Sequence, residues 1–519
     1  MRVVPFKALS LPSLLVVLAS STFACVGDSG VVADGGTPAD GGDGGVIPGS
    51  DSGPTTRAIG GVVHFLQSGG TALQLSNGSD TLSVTAAGTF TFPKRASDGD
   101  AYDVKVVSSP AGQRCTLRTA GAGTVAAADV NVTIACTLAR VSTTPAVADA
   151  TTTSTTFADV SSIPAITFTT DVASSVLVAL SVGALLPDGT KGSGRGATLG
   201  INVDGTVAAQ GHQSIEYFQL SHGFTTYAVV ALPAGTHAIK AQWKADSGAT
   251  SAIYTSYGNN LSAVVLDSLG SFASAKSSAA ALTASNTTTT DSPLGLTDIS
   301  LTPPNGSVLA LLHVPSATGT GTGGAFGISV SGNKVASAST ANCGDAFDFT
   351  YSPAAIVPVA AAAQTVSAQW SALAGSTFSV AAAQARMDAI AFDAKAGGKS
   401  ASAVGDFSVS TTTSTAIPSL GTVTLNPVAD SQALVILQAD DVYTEGNGQP
   451  GNVTLDMDGT TLGQAFTQSQ NSNCARPSTI FVVTPVTAGP HTFTGKMNEL
   501  GSGPIHVSHR TTLNAMLLE

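Results

Sequence analysis

Short apolar runs alternate with small polar residues along most of the chain, and glycine, asparagine, aspartate and proline separate the runs. Ile239, Ala241 and Trp243 fall on one face of an extended strand because they lie two residues apart. The run Val176–Leu180 is continuous and apolar, which is typical of a strand buried in a sheet. The sequence contains no long amphipathic helical pattern. These patterns predict an all-β protein.

The composition fits strands and turns and excludes some partners. With 519 residues the chain is too long for one hydrophobic core, so we expect several domains. Charged residues make up only 10% of the chain, whereas 56 glycines and 24 prolines supply turns. The net charge is −12, and the 21 lysines and arginines are too scattered to form a basic stripe. We therefore expect no nucleic-acid partner.

The N-terminus carries an export signal. A short basic region precedes an apolar run that ends in small residues, so residues 1–24 are predicted to be a signal peptide. The segment 22–25, TFAC, resembles the lipobox of bacterial lipoproteins, although that family prefers leucine where Thr22 stands. The resemblance implies that Cys25 is lipidated and anchors the chain to the outer membrane or cell surface. Cleavage by an ordinary signal peptidase, followed by secretion, is the alternative.

A Gly/Asp-rich segment, residues 25–57, follows the signal peptide. Its low complexity cannot build a hydrophobic core. As a flexible coil of about 30 residues it would span ~30 Å on average. We predict that this tether holds the folded domains away from the membrane.

Residues 58–138 form the first predicted domain, in which short strands are separated by Gly, Asn and Asp turns. Its landmark segments are Leu73–Gly78, Gly88–Phe92, Asp98–Val106, Gly123–Val125 and Val130–Cys136. The block resembles a short repeat of bacterial surface proteins and lipoproteins, which implies an Ig-like or prealbumin-like sandwich without catalysis. Cys115 and Cys136 enclose a short loop, and a disulfide between them would add about 3 kcal/mol.

An internal repeat fills the rest of the chain. Two sets of positions recur every 127 residues: Asp204, Ser331 and Asp458 at a turn, and Trp243, Trp370 and Met497 in a later strand. The predicted copies are repeat 1, residues 139–270; repeat 2, residues 271–397; and repeat 3, residues 398–519. Each copy resembles the jelly-roll head domains of bacterial and phage surface proteins, which implies a β-sandwich. Jelly rolls of the tumour-necrosis-factor type pack as trimers, and by this analogy the copies would form a ring; a row of separately facing domains is the alternative, and the sequence does not decide between the two.

The five cysteines are an odd number for an oxidising compartment. Lipidation of Cys25 and pairing of Cys115 with Cys136 would leave Cys343 and Cys474. We predict that these last two form a disulfide between repeats 2 and 3. Intermolecular pairing and free thiols are the alternatives.

Repeated histidines and tryptophans are predicted to serve the framework. His237 and His491 occupy equivalent positions beside a turn, and Gln364 replaces them in repeat 2. A catalytic or metal-binding role would need partners that this pattern does not supply, so turn capping is favoured. Trp243 and Trp370 hold equivalent strand positions and are expected in hydrophobic cores.

Two further pairs are weak candidates for binding. His506 and His509 lie three residues apart in a predicted strand, so they would face opposite sides, which disfavours a zinc site. Tyr254 and Tyr257 are the best candidates for stacking on a sugar, because both lie in a predicted loop of repeat 1.

An acidic cluster distinguishes repeat 3. Asp440, Asp441 and Glu445 precede the turn pair Asn447-Gly448, and we interpret the segment as a solvated loop. Calcium binding by these carboxylates and a paired-carboxylate glycosidase site are the alternatives.

These features predict a non-enzymatic surface lipoprotein that presents repeated β-sandwich modules for adhesion or ligand binding. Its expected partners are the membrane, through the lipid anchor, and a surface glycan or protein; we expect no cofactor. The sequence contains no nucleophile-elbow, zinc-protease, P-loop or dinucleotide motif. A secreted carbohydrate-active enzyme and a purely structural envelope protein are the alternatives.

Overall fold

Strands account for nearly all the secondary structure of the computed structural model, and their sheets form β-sandwiches, as the sequence pattern predicts. The structure describes residues 56–518 except 65, 67–71, 111–112, 139–140, 143–147, 171–172, 189–195, 215–221, 247–248, 254–256, 267–272, 279–281, 287–290, 304–305, 321–322, 342–346, 374–375, 383–384, 394–396, 429, 447–448 and 470–473. The predicted signal peptide, Cys25 and almost the whole tether lie outside the described residues. None of the helical segments described is long and apolar enough to cross a bilayer.

Two four-stranded sheets build the first domain. Its strands are β1 Thr56–Arg57, β2 Ile59–His64, β3 Leu73–Asn77, β4 Asp80–Val84, β5 Gly88–Thr91, β6 Ala96–Ser97, β7 Ala101–Ser108, β8 Gln113–Leu117, β9 Ala122–Thr124 and β10 Val130–Leu138. The sheets have the orders β4-β3-β7-β9 and β5-β2-β10-β8, and β1 pairs with β6. Leu73, Leu75 and Ile134 belong to the buried core of this domain. Cys115 and Cys136 lie opposite each other on β8 and β10 and form the predicted disulfide.

We group the remaining strands by the repeats predicted from the sequence. Repeat 1 contains β11 Val141–Ser142, β12 Ala150–Thr152, β13 Ala158–Asp159, β14 Ile166–Thr170, β15 Ser174–Asp188, β16 Gly196–Val203, β17 Thr206–Ser214, β18 His222–Leu232, β19 Gly235–Ala245, β20 Thr250–Ile253 and β21 Asn260–Val265. Repeat 2 contains β22 Ala273–Ser278, β23 Leu282–Asn286, β24 Ser292–Pro293, β25 Ile299–Leu301, β26 Gly306–Thr320, β27 Gly323–Val330, β28 Asn333–Ala341, β29 Phe347–Tyr351, β30 Ala354–Val359, β31 Gln364–Ala372, β32 Thr377–Ala382 and β33 Arg386–Asp393. Repeat 3 contains β34 Lys399–Val404, β35 Phe407–Val409, β36 Thr415–Ala416, β37 Val423–Leu425, β38 Ser431–Thr444, β39 Gln449–Met457, β40 Thr460–Ser469, β41 Arg476–Val486, β42 His491–Glu499, β43 Ile505–Val507 and β44 Arg510–Leu517.

Each repeat has an outer and an inner sheet with the same strand pattern. The outer sheets are centred on β19-β16-β17, β31-β27-β28 and β42-β39-β40. The inner sheets are centred on β21-β15-β18, β33-β26-β30 and β44-β38-β41. Separate apolar cores fill the three sandwiches, and each contains its framework residue, Trp243, Trp370 or Met497. Core packing of the two tryptophans agrees with the prediction from their spacing.

The three repeats close into a ring rather than extending as a row. Single backbone pairings join an outer sheet of one repeat to the next repeat in turn. The pairs are Gln213 with Phe349, Ala341 with Ala475, and Thr467 with His222. Repeat 1 therefore meets repeat 2, repeat 2 meets repeat 3, and repeat 3 meets repeat 1. We name these the 1–2, 2–3 and 3–1 contacts.

A fourth apolar cluster, the axial core, fills the centre of the ring. Each repeat contributes six residues from its inner sheet or the residue just after it. They are Leu177, Ala179, Tyr227, Val229, Val264, Leu266, Leu309, Leu311, Ala354, Ile356, Ile390, Phe392, Leu434, Ile436, Phe481, Val483, Met516 and Leu518. The inner strands are thus buried on both faces, which explains why their apolar runs are continuous.

Candidate functional site

A layer of polar side chains, the axial polar layer, lies beside the axial core. Its central residues are Thr225, Ser352 and Thr479, which keep the 127-residue spacing. Each bonds to the neighbouring strand of its own inner sheet, at 3.0, 2.9 and 2.6 Å respectively; the partners are Ser181, His313 and Gln438. The Thr225 hydroxyl also lies 2.6 Å from the carbonyl oxygen of Thr479 and thereby links repeats 1 and 3. Such buried polar pairing restricts which register the repeats can adopt.

Beyond this layer the equivalent positions carry three different side chains. They are His222, Phe349 and Arg476, again 127 residues apart. The Arg476 guanidinium lies 4.4 Å from the centre of the Phe349 ring, a cation–π contact across the 2–3 contact. Burial, and after it the charge of Arg476, lower the pKa of His222 to about 3. His222 is therefore neutral at physiological pH.

A narrow cavity, the axial pocket, adjoins these residues. Its lining consists of His212, Gln213, His222, Phe349, Thr350, Arg476 and Pro477. All three repeats contribute, so the pocket exists only because the ring is closed. Its residues were not singled out by motif analysis; the 127-residue spacing of His222, Phe349 and Arg476 is the sequence signal that could have found them.

The 1–2 contact holds a histidine between two carboxylates. Nε2 of His212 lies 3.1 Å from Asp246 of the same repeat, and Nδ1 lies 3.2 Å from Asp348 of repeat 2. Burial opposes the charge on this ring, but the two carboxylates outweigh it and raise the pKa of His212 to about 9. The backbone N–H of His212 also donates to the Thr350 hydroxyl at 2.7 Å.

The 2–3 contact holds a carboxylate among hydroxyl and amide donors. Asp440 of repeat 3 accepts hydrogen bonds from the Ser337 hydroxyl and from both the backbone N–H and the hydroxyl of Ser339, the last two at 2.6 and 2.5 Å. Burial, together with the neighbouring Asp441 charge, raises the pKa of Asp440 to about 6. Asp441 pairs with Nδ1 of His509 at 2.9 Å, and this bond raises the pKa of His509 to about 9.

The interpretation of the acidic cluster as a solvated loop is wrong for its two aspartates. Asp440 and Asp441 lie in β38 and are 1% and 2% exposed. At the β-bulge between Ala439 and Val442, Asp440 faces Ser337 and Ser339 of repeat 2, and equivalent bulges occur in β15 and β26. Within the described part of the chain, no group of His, Cys, Asp and Glu side chains has the geometry of a metal site.

His237 and His491 cap equivalent turns. Nδ1 of each ring lies 2.7 Å from an aspartate, Asp204 or Asp458, and Nε2 lies 2.8 or 3.0 Å from a backbone carbonyl oxygen. The Thr170 and Thr487 hydroxyls lie 3.3 and 3.2 Å from the same Nε2 atoms, so each ring is held on both sides at its turn. Gln364 and Ser331 bond to each other at the same place in repeat 2. The geometry is that of turn capping rather than general-base catalysis.

The weaker sequence candidates do not come together. His506 pairs with Glu445 at 2.9 Å and stacks on Tyr443, whereas His509 follows β43 and faces Asp441. Tyr257 is half-buried, and its ring centre lies 5.1 Å from that of Phe466 in repeat 3. It therefore serves the 3–1 contact rather than an open stacking surface. Tyr254 lies outside the described residues.

Cys474 is disulfide-bonded, and it belongs to the buried core of repeat 2 although it comes from repeat 3. The predicted partner, Cys343, lies outside the described residues. Backbone hydrogen bonds of 2.9 and 3.2 Å between Ala341 and Ala475 bring the two chain segments side by side. The pairing of Cys343 with Cys474 stays a prediction.

Comparisons with known proteins yield only remote structural likeness. No family model matches the sequence, and no curated protein matches it. A structure of PNGF-II in space group C2 shares 8% identity, covering 62% of this chain and 98% of that one, with a TM-score of 0.20. A structure of PNGF-II in space group P21 shares 11% identity, covering 63% of this chain and 84% of that one, with a TM-score of 0.19. The insecticidal delta-endotoxin Cry8Ea1 of Bacillus thuringiensis shares 10% identity, covering 65% of this chain and 52% of that one, with a TM-score of 0.15. Likeness at this level assigns no function.

Proposed function

We propose that this protein is a non-enzymatic, lipid-anchored surface protein that presents a rigid ring of β-sandwich modules to a glycan or protein ligand. The closed ring is the observation that carries the proposal. Three sandwiches share one axial core, so their outer surfaces are held in fixed relative positions. A preorganised surface loses less conformational entropy on binding than modules on flexible links would.

The ionisable side chains described above support the same proposal. His212, Asp440 and Arg476 are largely buried and contact neighbouring repeats. These contacts hold the three side chains at the boundaries between repeats and leave them poorly placed to act on a substrate. A catalytic site would instead need a nucleophile or acid–base pair beside a space large enough for a reacting group.

The sequence supports the anchoring part of the proposal. The lipobox-like segment ending at Cys25 would attach the chain to the outer membrane or cell surface, and residues 25–57 would act as a spacer. Residues 58–138, as an Ig-like module, would separate the tether from the ring.

Two measurements on the full-length protein test the proposal. Metabolic labelling with a fatty acid should mark the wild type and leave Cys25→Ser unmarked. Equal labelling of the two proteins would contradict a lipid anchor at Cys25. Detergent-solubilised protein should bind members of a glycan array or an extracellular protein library without turning over glycosidase substrates. Turnover would favour a carbohydrate-active enzyme, and a complete lack of binding would favour a structural envelope protein.

A further inference from the structure

The axial pocket has the volume of a site for a single small molecule. The space open to the centre of a water molecule is about 10 Å³. That is close to the smallest cavity able to hold one water molecule. The site is built from side chains of different repeats, including Gln213 of repeat 1 and Arg476 of repeat 3, both 3% exposed.

Polar atoms in the pocket lining need a ligand. Neither the Oε1 nor the Nε2 atom of Gln213 has a hydrogen-bond partner within the described part of the protein, and the same holds for Nδ1 of His222. Nε2 of His222 lies 3.0 Å from the carbonyl oxygen of Pro477. Since that oxygen only accepts, the ring proton is on Nε2, and Nδ1 presents a lone pair. Gln213 and His222 thus present two acceptors and one amide donor to the pocket.

This set of atoms selects the class of ligand. An anion could accept from the Gln213 amide but could not donate to Gln213 Oε1 or His222 Nδ1. A cation would face the Arg476 guanidinium at close range. A water molecule has two donors and two acceptor lone pairs, and it fits the volume.

We propose that the axial pocket binds one water molecule as a structural ligand that joins Gln213 and His222 at the centre of the ring. The position equivalent to Gln213 in repeat 2 supports this assignment. There Thr340 accepts a hydrogen bond of 2.7 Å from the Tyr351 hydroxyl, so a direct side-chain partner already satisfies it. The longer Gln213 side chain has no side-chain partner of this kind, and the bound water takes that partner's place.

Water oxygen-17 relaxation dispersion on the full chain tests the proposal, because it counts internal water molecules with long residence times. Gln213→Met keeps the length of the side chain and removes both polar atoms. We expect this variant to hold one long-lived water fewer than the wild type. Gln242→Met, on an outer sheet, is the matched control and should leave the number unchanged. An equal number in wild type and Gln213→Met overturns the proposal.

A crystal of the wild type soaked in bromide gives an independent test that does not depend on variant folding. The proposal expects electron density within hydrogen-bond distance of Gln213 and no anomalous bromide signal there. A bromide peak would identify an anion site instead, and a pocket without density would show that nothing binds. Either result overturns the water assignment.

Discussion

Two contacts of the ring use equivalent backbone positions and opposite charges. At the 1–2 contact the cation of His212 lies between Asp246 and Asp348. At the 2–3 contact the carboxyl group of Asp440 lies among donors from Ser337 and Ser339. Since His212 and Ser339 are 127 residues apart, the same position of the outer sheet carries the cation in one contact and the donor in the other.

This difference shows how three similar sandwiches can assemble in one order only. The axial core is apolar apart from the Tyr227 hydroxyl, which bonds to Leu312 of repeat 2, and its apolar surfaces would accept the repeats in any sequence. The polar groups at the contacts would not accept every order, because a wrong neighbour would leave Asp440 or His212 buried without its partners. A buried charged or polar group without a partner lowers the free energy of unfolding. The apolar core therefore supplies stability, and the unlike contacts supply specificity.

Removal of a large axial side chain should have the largest effect, because all three repeats share the axial core. Phe481 is fully buried in the axial core, 6.4 Å from Tyr227 between ring centres. Phe481→Ala should lower the free energy of unfolding by about 3–5 kcal/mol. Denaturant titration followed by tryptophan fluorescence reports on the ring, since both tryptophans, Trp243 and Trp370, belong to it. Val428→Ala, at a 90% exposed site, is the control and should change little; similar small effects for both variants would contradict an axial core.

A covalent bond should distinguish the 2–3 contact from the 1–2 contact. Peptide mapping without reduction should recover Cys343 linked to Cys474, because Cys474 is disulfide-bonded beside the Ala341–Ala475 pairing. The double variant Cys343→Ser, Cys474→Ser should lose about 2–4 kcal/mol of stability. Recovery of both peptides as free thiols, or of an intermolecular link, would contradict this pairing.

Loss of the cation at the 1–2 contact should be destabilising in a pH-dependent way. His212→Leu leaves Asp246 and Asp348 without the charge between them, at a cost of about 2–3 kcal/mol near pH 6. The pKa of His212 is about 9 in the folded protein and about 6.5 in an unfolded chain. Its contribution is complete below pH 6.5 and is lost as the pH rises through 9. The gap between wild type and variant should therefore shrink from pH 7 to 10, whereas Val428→Ala, which removes no ionisable group from a 90% exposed site, should show no such trend.

Much of the framework could be predicted from the sequence, because strand periodicity and residue spacing are local signals. Such local signals predicted the core positions of Trp243 and Trp370 and the disulfide between Cys115 and Cys136. The continuous run at Val176–Leu180 also carried the signal for a second buried face, but it does not say what covers that face. The axial pocket depends on contacts between residues more than 250 positions apart, such as His222 with Pro477, and no local pattern reports those.

The interpretation as a loop failed for the acidic cluster because β38 is buried on both faces. All residues from Ala433 to Val442 are buried, so two adjacent aspartates are enclosed whichever face each one takes. The bulge between Ala439 and Val442 lies where Asp440 accepts from Ser339 and Asp441 pairs with His509. Adjacent charged residues followed by a Gly-containing turn resemble a loop in sequence, and only the pairing of β38 with its neighbours shows otherwise.

The smallest of these effects should have the opposite sign to the others. The pKa of Asp440 is raised to about 6, so the folded protein favours the protonated carboxyl group more than the unfolded chain does. The protonated group's contribution to stability is complete below about pH 3.8 and is lost as the pH rises through 6. Asp440→Asn cannot ionise, and it should raise the free energy of unfolding at pH 8 by on the order of 2 kcal/mol while leaving it unchanged at pH 4. Asp298→Asn, at an exposed site, should be neutral at both pH values. If Asp440→Asn were destabilising at pH 8, the hydrogen bonds from Ser337 and Ser339 would outweigh the cost of burying the charge, and the 2–3 contact would depend on its carboxylate as the 1–2 contact depends on its cation.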